Sequence, residues 1–342
     1  MSATQLTYRS IDEYLGPADN RFFGCGFRRS EHQVTELVTT PADAAEPGAR
    51  ATVTVEYPRD WSKKTADTDL PPHLSSIDIL LLGAQLAEAH LTHAYGLDRA
   101  MRSRMWLRKV TLRASTTPQE DLTGMPALAT LRKTSAVADD SGRFVSVYDC
   151  TVGVMRTRCE IEHEIGRRSS TERSGPSLED LLGPPASRYF GGGFRLRSQS
   201  IRDVSVDMSS LQADAQVLIA STREGHAAPE GIEGAYQPSA SMIDCFVVAL
   251  QMAQVLMYEL DGVARRDSNT LWMLQTVLEA DKPDRPFAGP LAAHTAIAGK
   301  HLLKLRGGTW RNVDIKGGCA GIALRASLAH ELPKSAVSDA SA

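Results

Sequence analysis

Two stretches of the chain, Ser76–Tyr95 and Met242–Asp261, are apolar around nearly their whole circumference. Each is preceded by serine three residues ahead of aspartate, Ser75 with Asp78 and Ser241 with Asp244, and followed by glycine, Gly96 and Gly262. A capping box in front and a glycine behind predict a long helix in both places, and the missing polar face predicts that both are buried. Strict alternation over Ala51–Tyr57 predicts a half-buried strand, reached through a Pro- and Ala-rich loop at Pro41–Arg50 from a strand starting at Gly26. Beyond the first helix, Met105–Ala114, Ala127–Val137 and Arg143–Glu164 are strand-like, with a turn at Asp139–Gly142. The second half repeats this through a strand starting at Gly193, then Leu271–Ala280, Ala293–Leu305, a Gly307-Gly308 turn and Trp310–Glu331.

The likeness of the halves extends to identity. Residues 11–28, IDEYLGPADNRFFGCGFR, and 178–195, LEDLLGPPASRYFGGGFR, agree in nine of 18 columns at an offset of 167. Ser75–Ala114 lies over Ser241–Ala280 with Ser75/Ser241, Ile77/Ile243, Asp78/Asp244, Gln85/Gln251, Gly96/Gly262 and Trp106/Trp272 matched, and Arg158/Arg325, His163/His330 and Glu164/Glu331 close the series. The matches are collinear, so one domain is written twice, imitating a twofold dimer within one chain. The expected division is 1–165, a polar surface linker at 166–177, 178–332, and a flexible tail at 333–342. Each copy opens on Ser-x-x-acid, Ser10–Glu13 and Ser177–Asp180, then Leu-Gly-Pro, which predicts a short capped helical turn. One buried helix wrapped by an antiparallel sheet, made twice, gives an α+β class and the plan of a tandem double hotdog, with two antiparallel sheets each wrapping a long central helix.

Composition narrows the partners. With 342 residues, 42% hydrophobic, 23% charged and a net charge of −3, the chain has neither the basic balance of a nucleic-acid binder nor an apolar run long enough for a membrane span. It also shows no secretory h-region, so a cytoplasmic protein is expected. Its five scattered cysteines form no C-x-x-C pair and read as buried thiols rather than a zinc site or disulfide framework.

Candidate chemistry lies along the two helices. Asp78 and Gln85 are two turns apart on one face, as are Asp244 and Gln251, and polar residues inside an apolar stripe need partners or a purpose. The plain alternatives are that both aspartates only cap their helices and both glutamines only tie them to a neighbouring strand. His73 precedes the first helix while Ser239 takes its place in the second copy, an asymmetry expected if one of two duplicated sites lost its activity; a surface loop histidine is the alternative. Glu88 is a second candidate base, and a solvated helix end accounts for His90 and His93. A strand rather than a helix follows the Gly-rich openers, which argues against a nucleotide loop, but their Arg28 and Arg195 are candidates to pair with a carboxylate or a carrier phosphate. Trp106 and Trp272 are ligand platforms or core. No spacing suggests a metal.

SIDEYLGPADNRFFGCGFRR and LSSIDILLLGAQLAE resemble the opening and central-helix segments of the avirulence protein D family, and the resemblance runs from Ser10 to about Leu332. It implies an enzyme that joins a β-ketoacyl thioester, on CoA or a carrier protein, to a keto sugar or polyol such as xylulose, giving a syringolide- or butenolide-type lactone. A similarity of plan links it to the A-factor synthesis family of double-hotdog enzymes, which carry a Glu in the helix where Gly83 aligns here. On this reading Asp78 and Asp244 are the first candidates for proton removal, His73 and Glu88 the reserves, and Gln85 and Gln251 hold the substrate, with no cofactor. A hotdog dehydratase or thioesterase and a non-catalytic binder of acyl or lactone ligands stay open, as does homodimerisation.

Overall fold

The computed structural model describes residues 5–62, 71–115, 117–138, 142–222, 229–265, 268, 271–305 and 307–333. In chain order the strands are β1 (Gln5–Ser10), β2 (Glu31–Thr39), β3 (Gly48–Glu56), β4 (Trp106–Arg113), β5 (Met125–Ala136), β6 (Phe144–Val152) and β7 (Met155–His163), then β8 (Arg173–Ser177), β9 (Arg197–Asp207), β10 (Gln212–Ser221), β11 (Trp272–Ala280), β12 (Leu291–Leu305), β13 (Gly308–Cys319) and β14 (Ile322–Glu331). The helices are α1 (Asp12–Leu15), α2 (Ser76–Ala94), α3 (Arg99–Ser103), α4 (Glu179–Leu182) and α5 (Met242–Asp261).

The two long helices form for the reasons the sequence carries. Both capping boxes are made in full, Ser75 with Asp78 and Ser241 with Asp244. In α2 the consecutive residues Ile79, Leu80, Leu81 and Leu82 are all fully buried, so apolar side chains leave the helix in every direction. Each such side chain contributes about 1.5–3 kcal/mol on burial, and only a surrounding sheet collects all of it. Helix α5 is long and apolar enough to cross a membrane by composition, yet 83% of its most apolar window is packed inside the protein.

The two expected sheets are one. Among the described residues 14 strands form a single antiparallel sheet in the order β1-β9-β10-β12-β13-β14-β11-β4-β7-β6-β5-β3-β2-β8. Its centre is the pair β4 and β11, in register from Gln275↔Arg113 to Glu279↔Lys109. From there outward the two arms repeat the same order of equivalent strands. The outermost strands are exchanged: β1, which opens the first copy, pairs with β9 of the second, and β8, which opens the second, pairs with β2 of the first. The stretch 166–177, expected as a linker, therefore ends in a strand. From residue 334 on, the expected tail lies outside the described residues, as do 139–141 of the expected Asp139–Gly142 turn.

The opening segments cross over with their strands. Phe27 and Phe194 stack at 6.4 Å and 19°. Arg28 donates to the Arg197 carbonyl at 2.8 Å, and Arg195 donates to the equivalent Ser30 carbonyl. Equivalent residues thus meet across a local twofold. These arginines brace the two openers against each other, which accounts for them without a ligand. Two local expectations change. Gly26–Arg29 and Gly193–Leu196 are 3-10 turns, with strands starting at Glu31 and Arg197. The caps of α1 and α4 are Ile11 and Leu178, without side-chain capping, because Ser10 reaches only the Asp12 amide.

Candidate active site

A cavity of about 160 Å³ opens at the amino end of α2, between the halves. Ser75, Ser76 and His73 form its rim on the helix side. The first amides of a helix have no partner within it and carry the positive end of its dipole. Phe22 and Phe23 come from the first opener, Trp61, Leu74 and Met155 from the first half, and Leu271, Trp272 and Met273 from the second. Arg21, Gln254, Tyr258 and Arg265 are among its polar lining groups. His73 stacks edge-on against Trp61 at 5.5 Å. Burial holds its pKa below the ordinary imidazole value, against smaller opposing effects of the Pro71 backbone and Asp78, so it is neutral at pH 7.

Asp78 and Asp244 do not line this cavity. Asp78 is 1% exposed and accepts from His32 at 2.7 Å, from Ser30 at 3.3 Å, from the Ser75 amide and hydroxyl, and from Tyr57. Burial pushes its pKa up, but the hydrogen bonds of His32, Ser75 and Tyr57 outweigh it, so the carboxyl titrates below the usual range. Asp244, equally buried, accepts from Arg197 at 2.8 Å, Gln199 at 2.6 Å and the Ser241 amide and hydroxyl at 2.8 Å each. Both are filled with local partners and hold a helix start to its neighbouring strand. Gln85 and Gln251 are also tied down. Gln251 donates to the Phe23 carbonyl at 3.1 Å and Gln85 accepts from Arg188 at 3.1 Å, so each clasps the opener of the other copy.

The equivalent place at the amino end of α5 is filled. Residues 229–237 run through it. The Glu233 amide donates to the Met105 carbonyl at 2.7 Å, its carboxylate accepts from the Leu107 amide at 3.4 Å and from Arg285 at 3.0 Å, and Gly231 lies against Glu88. Met105, Leu107, Glu88 and Arg285 are the counterparts of Leu271, Met273, Gln254 and Gln119, which line the open cavity. Glu233 is fully buried at a positive φ of 63°. Trp106 is 4% exposed, while its counterpart Trp272 lines the cavity.

Of the residues singled out from sequence, His73 and Trp272 therefore meet at one cavity. Glu88 sits in the filled counterpart, paired with Arg102 at 3.1 Å. His90, expected at a solvated helix end, is fully buried with Nδ1 at 2.6 Å from the Tyr148 hydroxyl, because β6 closes over that face. Sequence reasoning missed Arg21, Trp61, Gln254 and Arg265. One signal for them was present: Gln254 aligns with Glu88, a change of charge between the copies. Among the described residues no group of three or more His, Cys, Asp or Glu is placed to hold a metal ion.

No curated protein matches the chain. Solved structures that resemble it include a protein of Thermobifida fusca assigned as a thioesterase II (11% identity, 88% of this chain and 96% of that one, TM-score 0.38). A protein of unknown function with a hot dog fold from Alicyclobacillus acidocaldarius (10%, 76% and 92%, 0.33) and the dehydratase domain of the CurJ module of curacin polyketide synthase (10%, 88% and 97%, 0.35) are also similar. Residues 6–333, nearly the whole chain, match the model of the Pseudomonas avirulence D protein (AvrD) family, and the chain belongs to that family.

Proposed function

We propose that the chain is a biosynthetic enzyme of tandem double-hotdog plan that joins a β-ketoacyl thioester to a keto sugar or polyol, giving a syringolide- or butenolide-type lactone. The observation that carries this is His73, neutral through burial, on the wall of an apolar cavity at the amino end of α2. The apolar walls hold the acyl chain. The amino end of α2 stabilises the oxyanion formed when the thioester carbonyl becomes tetrahedral. His73 takes the proton from the acceptor hydroxyl as its oxygen bonds to the acyl carbon. It returns that proton to the sulfur as the carbon–sulfur bond breaks, so the free thiol leaves and the imidazole is neutral again; the β-keto ester so formed closes to the lactone when its acidic methylene adds to the ketone of the acceptor and water is lost. Asp78 and Asp244 act on this site only by fixing the helix starts.

The test is purified protein with β-ketoacyl thioesters of several chain lengths and xylulose, following thiol release. His73→Asn is expected to reduce release about 10²–10⁴-fold, the usual contribution of a positioned acid–base group, with folding retained. Release that falls only below pH 6.5, where imidazole protonates, agrees with His73 as base. Release that is independent of acceptor points to a thioesterase. No release with any thioester, or full activity in His73→Asn, refutes the reading.

A further inference from the structure

Leu271 and Met273 line the cavity at the start of β11. Among the described residues no strand pairs with this end of β11 on its β4 side. The ladder there starts at Gln275↔Arg113, preceded by one bond from the Ala114 amide to the Leu274 carbonyl at 3.2 Å. On the other side Trp272 pairs with Ala329 and Met273 with Leu328, just before a bulge. The first copy has the same register and the same bulge, Trp106 pairing with Glu162 and Leu107 with Ile161. Alternate residues of a strand turn their N–H and C=O groups to one edge, so both strands present equivalent main-chain groups there.

In the filled copy Glu233 takes those groups. Its amide donates to the Met105 carbonyl at 2.7 Å and its carboxylate accepts from the Leu107 amide at 3.4 Å, so a chain carrying an N–H and a carbonyl-type oxygen lies along the strand edge as an added strand would. The corresponding groups in the open cavity are the Leu271 carbonyl and the Met273 amide. Charge separates the two places. The Glu233 carboxylate is neutralised by Arg285 at 3.0 Å. Gln119 holds the place of Arg285: the Leu74 amide donates to its carbonyl at 2.9 Å, as the Ala240 amide does to that of Arg285 at 2.8 Å. Its side chain is neutral and engaged with the Asp121 carbonyl and the Val154 amide. Glu88, paired with Arg102, is likewise replaced by the neutral Gln254. The other acid of the filling segment, Glu230, pairs at 2.9 Å with the exposed Arg99, whose counterpart Arg265 donates to the Asn20 carbonyl. At the strand edge the open cavity therefore repeats the main-chain groups without the cation, which favours a neutral carbonyl over a carboxylate.

We propose that this edge of β11 is the subsite for a pantetheine arm on the thiol side of the thioester. The N–H of the β-alanyl unit donates to the Leu271 carbonyl, and the carbonyl of the same unit accepts from the Met273 amide. Two carbons separate that N–H from that carbonyl, against three between the amide nitrogen and the carboxyl carbon of Glu233, and both ends are uncharged amides. The inference rests on the cavity being the reaction site and names the thiol half of its substrate, the arm that CoA and carrier proteins share.

Titration calorimetry and amide hydrogen exchange, read residue by residue by NMR on the full chain, test it with pantetheine, pantothenate and N-acetylcysteamine as probes. Pantetheine is expected to bind one per chain and to slow exchange of the Met273 amide. Pantothenate, which ends the β-alanyl unit in a carboxylate, and N-acetylcysteamine, which lacks the β-alanyl N–H, are each expected to bind about tenfold more weakly, the usual cost of one lost hydrogen bond or one uncompensated charge. Gln119→Arg, at a half-buried position, installs the cation of the filled place and is expected to bring pantothenate level with pantetheine or above it. No pantetheine binding, unchanged exchange at Met273 with pantetheine bound, a native preference for pantothenate, or the native preference kept by Gln119→Arg overturns the inference. Faster thiol release from a CoA ester or from a carrier-protein ester of the same acyl group assigns the source of the arm. Thiol release as fast from an ethanethiol ester as from a pantetheine ester overturns the subsite while the proposed function stands. Pantetheine bound at Met273 with no thiol release from any thioester and acceptor sinks that function and leaves the subsite.

Discussion

Replacing Arg197 by methionine removes the cation from the second helix start and leaves its surroundings otherwise intact. In the native protein Arg197 donates to Asp244 at 2.8 Å and to the Ser239 carbonyl at 2.7 Å, lies 4.4 Å from the Tyr189 ring centroid and 4.9 Å from that of Phe287, and is 4% exposed. Methionine keeps much of the length and fits between the two rings. Asp244, 1% exposed, keeps Gln199 and Ser241 but loses its counterion. Breaking one side of a buried ion pair costs about 3–5 kcal/mol, which lowers the folding equilibrium constant by roughly two to three and a half powers of ten. Removing both charges with Arg197→Met and Asp244→Asn together is expected to cost less than the two single changes added, by about 2–3 kcal/mol, because no lone charge is left behind. Urea unfolding followed by tryptophan fluorescence reads all four corners of the cycle. A cost for Arg197→Met under about 1 kcal/mol, or additive single changes, would show that the carboxylate is not held by this arginine and would remove the structural reading of Asp244.

Burial lowers the pKa of His90 and of His163 to about 4. Both are depressed below the unfolded value, so their contribution is whole above pH 6.5 and is lost as pH falls toward 4, by about 3 kcal/mol each; urea midpoints between pH 7 and 4.5 should fall with a two-proton slope, and His163→Gln should halve it. At Gly83 a Cβ would lie 2.5 Å from the Thr157 methyl. Gly83→Ala is therefore expected to cost about 1–3 kcal/mol, and adding Thr157→Ser should restore most of that in the same unfolding experiment. Deleting residues 1–10 should speed hydrogen exchange in β9, which pairs with β1, and leave β2 protected; faster exchange in β2 instead would contradict the exchanged edge strands.

Much of the architecture was written in the chain because both copies obey local rules. The capping boxes, the unbroken apolar runs of α2 and α5 and the strand pattern after them each depend on neighbours within a few residues. What escaped depends on pairing between distant residues. Nothing in 166–177 distinguishes a linker from a strand whose partner lies at 35–39, and nothing at β4 or β11 announces that the two arms join there. The candidate site divides the same way. His73 stood out because its counterpart is serine. Asp78 and Asp244 stood out as acids in apolar surroundings, and the structure supplies the partners, His32 and Arg197, that sequence reading could not place beside them. Arg21 went unnoticed because it matches Arg188 by identity, whereas the difference lies in what surrounds each.

The exchanged outer strands also set a timetable for synthesis. The first arm of the sheet lacks its last strand until residue 177 has been made, and β1, made well before its partner, must wait for residues 202–207 before it can pair. Closing loops of that length is entropically costly and slow, so the nascent amino-terminal half carries an open edge at β2 for many seconds at ordinary elongation rates. Two such chains growing side by side could each accept the other's opening strand, which makes an entangled dimer the natural misassembly of this fold and ties its yield to how crowded the ribosomes are.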